Sequence, residues 1–213
     1  MNALFFKRFI QRPFQVASIV PSSKALIRSV TSKFDFSEPR VIAEFGPGEG
    51  CHTREIVRRM HPQSRLLLFE LDAELAEHLR KSFRHDHRVE VLHTDAANLP
   101  HELAARGLDH CDYVVSGIPF SILEPHKKRA ILQAIHDSLV HAPHAAFIIY
   151  QFTNELRARG HCDHFGHAET DFVLQSIPPN FVTKFYKLAM NGNGKKNGNG
   201  KHHRVNGNGN GRH

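Results

Sequence analysis

The chain is poor in the residues that mark secreted and membrane-spanning proteins. Among 213 residues it has no tryptophan, three tyrosines and three cysteines. Because Cys51, Cys111 and Cys162 are odd in number and scattered, they predict no disulfide framework and indicate a reducing compartment. No run of about 18 apolar residues occurs, so no membrane-spanning helix is expected. The first residues lack a long apolar core before a cleavage site, so no secretory signal is expected either.

Acidic residues are scarce at both ends of the chain. Residues 1–40 carry seven Lys or Arg against two acids, and residues 191–213 carry five against none. The whole chain has a formal net charge of +7, and the middle is mildly acidic. Basic ends of this kind predict a polyanionic partner, either an anionic membrane or a nucleic acid.

The pattern divides the chain into three parts. Residues 1–40 are predicted as a helical extension, residues 41–190 as the enzyme domain, and residues 191–213 as a disordered basic Asn-Gly tail. The predicted strands are 41–45, 65–70, 89–93, 113–116 and 145–152, with 172–176 and 181–188 as a C-terminal antiparallel hairpin. The predicted helices are 53–60, 73–83, 99–106 and 127–140. This alternation predicts an α/β fold with a mostly parallel sheet and helices on both faces.

The most informative stretch is Val41–Gly50, in which an apolar strand ends at Glu44 and glycines follow at Gly46, Gly48 and Gly50. A strand, a tight glycine loop and a helix N-terminus form the usual place for a nucleotide-like ligand in an α/β sheet. The dinucleotide pattern G-x-G-x-x-G would need a glycine where Cys51 stands. Glu44 could instead reach a cationic amino group, which favours S-adenosylmethionine over a pyrophosphate.

Two further acids close the next two strands. Glu70 lies where a carboxylate can accept both ribose hydroxyls, with Asp72 as its substitute or as the cap of the following helix. Asp95 is predicted to accept the adenine amine, and the Ala96 N–H to bond a ring nitrogen. The alternative for Asp95 is an Asx-turn that leaves the strand.

The fourth strand ends in Ser116-Gly117-Ile118-Pro119-Phe120, a loop that we expect beside the methyl donor. Gly117 permits close approach, Pro119 stiffens the turn, and Phe120 is predicted as an apolar or cation–π wall for an amine. The alternative is an ordinary strand-to-loop turn. Tyr150, near the end of the fifth strand, is a candidate for the headgroup pocket or for proton removal, beside an equally open carbonyl-to-water relay.

Taken in order, these segments resemble the Rossmann-like class I methyltransferases that use S-adenosylmethionine and release S-adenosylhomocysteine. The resemblance implies that the cofactor is held by Glu44, Gly46, Gly48, Gly50, Glu70, Asp95, Ala96 and Ser116. It places Ser116, Gly117 and Tyr150 at the reacting groups.

Two branches of this class compete. Ribosomal RNA adenine dimethyltransferases carry Asn-(Leu/Ile)-Pro-(Phe/Tyr) in the fourth motif, where the aromatic stacks on the base; here Ser116-Gly117 replaces the beginning of that motif. Bacterial phospholipid N-methyltransferases are more similar, in Val16–Leu26, in Glu44–Gly50, in Ser116–Pro119, in Gln151–Thr153 and in Ile177–Pro179. This resemblance implies methylation of phosphatidylethanolamine, leading to phosphatidylcholine. RNA adenine or a small amine remains the alternative substrate.

The first residues support a membrane partner independently. Bulky apolar residues share one helical face there, and basic residues accompany them, as in an interfacial amphipathic helix. The residues concerned are Phe5, Phe6, Phe9 and Ile10, with Lys7, Arg8 and Arg12. A helix packed on the domain is the alternative. We therefore expect a cytoplasmic enzyme held peripherally at the inner face of the membrane by anionic lipids. Nucleic acid is the less favoured partner, and no protein partner is predicted.

One histidine-rich segment is open to a different interpretation. His161-Cys162-Asp163-His164, followed by His167, has the residue types of a metal site. Because histidine is abundant throughout the chain, the segment is predicted to be a polar loop near the substrate entrance, and no metal is expected.

Overall fold

The computed structural model describes residues 22–154, 156, 165–176 and 178–187. Within them, the helices are α1 (Lys24–Thr31), α2 (Cys51–Arg59), α3 (Ala73–Phe83), α4 (Leu99–Ala104) and α5 (Pro125–Ser138). The strands are β1 (Val41–Phe45), β2 (Arg65–Phe69), β3 (Val89–Leu92), β4 (Tyr113–Ser116), β5 (Ala146–Gln151), β6 (Phe165–Val173) and β7 (Asn180–Lys187). Short 3₁₀ turns follow β3 at Ala96–Asn98 and β4 at Phe120–Ile122.

The strands form one sheet in the order β3-β2-β1-β4-β5-β7-β6. The first five run parallel, and β7 is antiparallel to both of its neighbours. The order reverses between β1 and β4, so their connections leave in opposite directions and open a crevice at the carboxyl ends of the strands. We call that side of the sheet the carboxyl edge.

Successive side chains of each strand point to opposite faces of the sheet, and a hydrophobic core lies on each face. In β1, Ile42 packs with side chains of α1, α2 and α3, whereas Ala43 and Phe45 pack with those of α4 and α5. The side chain of Glu44 therefore points to the same face as that of Ile42, towards α2. Because both faces are covered, the central strands are almost continuously apolar.

The helices begin at residues suited to a helix start. Ser23 caps α1 by accepting a hydrogen bond from Leu26 N, and Asp72 caps α3 by accepting from Glu74 N and Leu75 N. Pro125 is the first residue of α5, where its missing N–H costs nothing. Gly50 precedes α2 in the left-handed region, with φ 79°.

The predicted fold class is confirmed, including the C-terminal antiparallel pair. The prediction of a strand at 172–176 is wrong, because β6 runs from Phe165 to Val173 and the turn follows it. As an edge strand, β6 exposes most of its residues and lacks the apolar alternation that predicts a strand. The described part of the predicted N-terminal extension contains α1. Its first 21 residues and the tail 191–213 lie outside the described residues.

Candidate active site

The glycine loop lies at the carboxyl edge, between β1 and α2. A Cβ on Gly50 would lie 3.0 Å from Leu79 Cδ2, so this glycine lets the loop pack against α3. A Cβ on Gly48, in contrast, would meet nothing within 4 Å. The loop is therefore packed on its helix side and open at Gly48, where a ligand can approach the backbone.

Glu44 lies beneath this loop and is only 1% exposed. Its Oε2 accepts a hydrogen bond of 2.8 Å from Thr53 Oγ1 of α2, and its enclosed Oε1 has no partner among the described residues. Burial raises the pKa of Glu44 to about 7; the Thr53 bond lowers it and the charge of Glu70 adds to the rise. A buried carboxylate with one unpaired oxygen is suited to receive a cationic amino group.

Glu70 is held by the backbone on both sides. Its Oε2 accepts a hydrogen bond from Gly48 N at 3.2 Å, and its Oε1 accepts one from Asp72 N at 3.0 Å. The carboxylate is thus fixed directly beside the open part of the glycine loop, where it was predicted to meet a ribose. Asp72 caps α3, which confirms the capping interpretation of that residue.

Asp95 is engaged by two partners. Its Oδ1 accepts a hydrogen bond of 2.9 Å from Ala97 N, which confirms the predicted Asx-turn, and its Oδ2 forms an ion pair with Lys127 of α5. Ala96 begins the 3₁₀ turn and is buried. An adenine amine would therefore have to share Asp95 with the Lys127 ammonium, a neighbour that the sequence did not indicate.

The structure brings together Ser116, Gly117 and Tyr150. A Cβ on Gly117 would overlap Tyr150 Oη and lie 2.9 Å from Tyr150 Cζ, so the phenol occupies the space of a side chain at 117. Gly117 also lies against the glycine loop, with the same Cβ position 3.3 Å from Gly46 O. Ser116 is fully buried, and its Oγ accepts from Ile118 N at 3.1 Å. The three residues thus lie beside the crevice between β1 and β4.

The ring of His52 packs on the ring of Tyr150. The two rings stack with centroids 4.3 Å apart and an interplanar angle of 30°. His52 Nε2 lies 3.0 Å from Ser22 Oγ, while the buried Nδ1 has no partner within the described residues. Burial lowers the pKa of His52 to about 3, so its imidazole is neutral at physiological pH.

Phe120 requires a correction. It was predicted as a wall of the substrate pocket, but its side chain is 0% exposed and tilts against Phe147 at a centroid distance of 6.1 Å. The turn after β4 folds this ring into the core, because it bonds Phe120 N to Gln151 Oε1 of β5 at 3.2 Å. Pro119 remains half-buried in the loop. Phe120 therefore presents no ring face to a ligand.

Besides Lys127, three site residues were missed by the sequence analysis. Thr53 and His52 belong to α2, and only their packing against β1 and β5 reveals them. Leu71 stands between Glu70 and Asp72 with 58% of its surface exposed, although it is large and apolar. An exposed leucine directly after the predicted ribose acid is a candidate wall for a nucleoside base. The sequence signal was its position beside Glu70.

Several predicted residues lie outside the described part of the chain. They are Phe5, Phe6, Lys7, Arg8, Phe9 and Arg12, together with the segment 161–164. His167 lies in β6, where its ring stacks on Tyr186 at 5.9 Å. In residues 22–154, 156, 165–176 and 178–187, no group of three His, Cys, Asp or Glu side chains could hold a metal ion. None of the helices in these ranges is both long and apolar enough to cross a membrane.

Comparison with known proteins gives a consistent result. A sequence model described as ribosomal RNA adenine dimethylase matches residues 18–140, which is more than half of the chain. Ornithine lipid N-methyltransferase of Singulisphaera acidiphila is 31% identical over 144 residues, covering 68% of this chain and 74% of that protein. Ribosomal RNA small subunit methyltransferase A of Latilactobacillus sakei is 31% identical over 104 residues, covering 47% of this chain but 34% of that protein.

Solved structures show the same fold. A crystal structure described as precorrin-6y C5,15-methyltransferase from Geobacter metallireducens superposes with a TM-score of 0.60 at 15% identity. The superposition covers 78% of this chain and 89% of that one. At this identity the likeness concerns the architecture alone, so it carries no statement about the substrate.

Proposed function

Because the chain belongs to the ribosomal RNA adenine dimethylase family of S-adenosylmethionine-dependent methyltransferases, we propose that it methylates the primary amine of a membrane lipid headgroup. Phosphatidylethanolamine is the proposed substrate, and mono- and dimethylated forms are further acceptors. Two observations support a lipid. One is the similarity to an ornithine lipid N-methyltransferase over 74% of that protein's length. The other, which carries the choice against a nucleobase, is the burial of Phe120.

S-adenosylmethionine supplies an activated methyl group and leaves as S-adenosylhomocysteine. The described residues suit it. Glu44 offers an unpaired, enclosed carboxylate oxygen to the amino group, and Gly48 leaves the loop open. Glu70 lies beside Gly48 for the ribose, and Asp95 with Ala96 would bind the adenine. The carboxylates of Glu44, Glu70 and Asp95 each accept a hydrogen bond from the backbone or a neighbouring side chain, so they are already oriented.

The acceptor amine must lose a proton before it can attack a methyl group. Tyr150 was a candidate for this step, but burial raises its pKa well above 10, and the nearby Glu44 adds to the rise. Tyr150 is therefore a neutral phenol at physiological pH, and its proposed role is to orient the amine beside Gly117. The proton would then leave through the backbone carbonyls near Ser116 to water.

RNA adenine methylation is the second candidate, because the matching family model is named for it. In those relatives the aromatic residue of the fourth motif stacks on the base. Here that residue is Phe120, which is 0% exposed and belongs to the core. The phenol of Tyr150 also fills the space beside Gly117, where an Asn-Leu motif would carry a side chain. Both features argue against a flat base as the acceptor.

The test supplies labelled S-adenosylmethionine to the purified full chain together with competing acceptors. These are phosphatidylethanolamine vesicles, ornithine lipid vesicles, a structured ribosomal RNA fragment and free ethanolamine. We expect the label in phosphatidylethanolamine. Label confined to ornithine lipid would keep the lipid proposal and change the headgroup. Label in the RNA or in ethanolamine alone would overturn it. Glu44→Ala, which removes the proposed amine-binding carboxylate, is the inactive control.

A further inference from the structure

All five large hydrophobic side chains that are exposed in the described residues lie at the carboxyl edge. Each follows or ends a strand that points to that edge. They are Leu71 after β2 (58% exposed), Ile122 after β4 (41%), Phe152 after β5 (37%), and Phe172 and Leu174 at the end of β6 (53% and 66%). Single exposed hydrophobic residues are ordinary, but their restriction to the side that holds the active site is not.

Four of these residues follow or end β4, β5 and β6 along one part of the carboxyl edge, and we call them the apolar rim: Ile122, Phe152, Phe172 and Leu174. Leu71 is assigned to the cofactor pocket and is left out. The turn that carries Ile122 is tied to Gln151 by the bond from Phe120 N. Gln151 precedes Phe152 and lies opposite Phe181 of β7, and the Phe181 ring is 4.8 Å from that of Phe172. The rim therefore runs from the turn after β4 to the sheet edge at β6.

We propose that the apolar rim docks on the surface of a lipid bilayer, with the carboxyl edge facing the headgroups. This rests on the proposed lipid function and specifies its partner. In this orientation Ser116, Gly117 and Tyr150 face the side from which a headgroup amine arrives. Aromatic and leucine side chains at such a border enter the region between headgroups and acyl chains, where interfacial proteins bury their apolar faces.

The basic sequence that adjoins this edge agrees with a lipid partner. Residues 1–21 contain Lys7, Arg8 and Arg12 with no acid, and they join the domain at Ser22. Ser22 is bonded to His52 in the first turn of α2, at the carboxyl edge. The N-terminal part of α5 adds the exposed Arg129 at the same edge. The exposed acids Glu49, Asp72, Glu74 and Glu124 also lie there, so the described part of the edge is not basic. Insertion of the rim, supported by the basic N-terminal segment, therefore carries the binding.

A second copy of the chain is a less suitable occupant. The four side chains expose on the order of 400 Å² together, whereas a stable protein interface buries about 800 Å² on each partner. The rim is also distributed over three strand ends rather than gathered into one pocket. Shallow insertion at several points suits a deformable bilayer better than a rigid protein surface.

The test compares full-chain wild type with the double variant Phe172→Thr/Leu174→Ser, which leaves the charge unchanged. Vesicles of phosphatidylethanolamine and phosphatidylglycerol are sedimented with each protein. We expect the variant to bind about tenfold more weakly, since less apolar surface enters the bilayer. The control is Gln63→Ser/His110→Ser, two exposed polar positions at the opposite edge of the sheet, which should bind as wild type does.

A second measurement separates this proposal from the proposed function. Short-chain phosphatidylethanolamine, dissolved as monomers, should be methylated equally by wild type and the rim variant. If neither protein methylates lipid but the variant still binds vesicles more weakly, the proposed function is wrong and the proposed docking of the apolar rim stands. Equal vesicle binding by wild type and the rim variant would overturn the rim. So would a binding difference seen only for RNA, or a loss of self-association in the variant.

Discussion

Thr53 Oγ1 donates a hydrogen bond of 2.8 Å to Oε2 of Glu44, while Oε1 of the same carboxylate has no partner among the described residues. The carboxylate is thus held in one orientation by Thr53, while its second oxygen remains able to accept a hydrogen bond. A buried charge in this state destabilises the free enzyme and is compensated when a cation binds. The first two predictions depend on this relationship.

Glu44→Gln should stabilise the free protein at about pH 8, by roughly 1 kcal/mol. The pKa of Glu44 is raised from 4.5 to about 7, so the folded protein holds a proton that the unfolded chain has lost between these values. Its contribution to stability therefore falls as pH rises from 4.5 to 7, and the cost is complete above 7. Urea unfolding at about pH 8 and pH 4.5 measures the difference in free energy of unfolding between wild type and Glu44→Gln, which should become smaller at the lower pH.

The control for that variant is Glu90→Gln. Hydrogen bonds from Arg106 lower the pKa of Glu90, so this carboxylate stabilises the fold when it is ionised. Its replacement should therefore lower the free energy of unfolding at about pH 8, opposite in sign to the change at Glu44. A Glu44→Gln protein that is less stable than wild type at that pH would contradict the account.

Binding of S-adenosylmethionine should release a proton below about pH 7. The arriving amino group favours the ionised form of Glu44, whose pKa in the free protein is about 7. The affinity should therefore weaken as pH falls from 7 towards 5. Calorimetric titration at pH 6 in two buffers of different ionisation enthalpy counts the protons. Release of no proton, or the same release from Glu44→Gln, would remove Glu44 from the amine site.

His52→Leu should change the pH dependence of stability in the opposite direction. Burial lowers the pKa of His52 from 6.5 to about 3. Between pH 6.5 and pH 3 the imidazole is therefore protonated in the unfolded chain but neutral in the folded protein. Wild type should lose about 1.4 kcal/mol per pH unit through this residue, and the variant should not. Unfolding at about pH 7 and pH 5 tests it. The same slope in both proteins would show that His52 is not buried as a neutral ring.

Gly117→Ala should destabilise the protein by about 1–3 kcal/mol, because its Cβ would overlap Tyr150. The cost should shrink in a Tyr150→Leu background, where the ring is gone. Gly107→Ala is the control, since that glycine has φ 64° and open space around its Cβ position. Its cost is backbone strain alone and should be the same in both backgrounds. Additive effects of Gly117→Ala and Tyr150→Leu would contradict the close contact.

The fold was largely predictable because its central strands are buried on both faces. Apolar runs bounded by turns predict such strands, and the bounds of β1 and β4 agree with the sequence prediction. The edge strand β6 escaped prediction because its partners and solvent, rather than its own pattern, determine its position. The predicted starts of α2 and α5 are each two residues late, because α2 begins directly after Gly50 and α5 begins at Pro125.

The positions of the site residues at strand ends could be predicted from the sequence, whereas the contacts that depend on packing could not. Glu44, Glu70 and Asp95 each follow or end a parallel strand, so their common edge follows from the strand order. The hydrogen-bond and ion-pair partners of these acids do not follow from the strand order. Thr53, Gly48 N and Lys127 come into contact with them only through the packing of helices and loops. The burial of Phe120 could not be predicted, because the sequence of a turn does not show whether an aromatic residue in it is exposed or buried.

The central claim is tested most directly by the mass of the lipid product. Purified full-length chain is incubated with S-adenosylmethionine and phosphatidylethanolamine vesicles, and the headgroup is analysed by mass spectrometry. Wild type should produce mono-, di- or trimethylated headgroups, and Glu44→Ala should produce none above background. An unchanged headgroup with wild type, combined with methylated adenine in a ribosomal RNA substrate, would contradict the account.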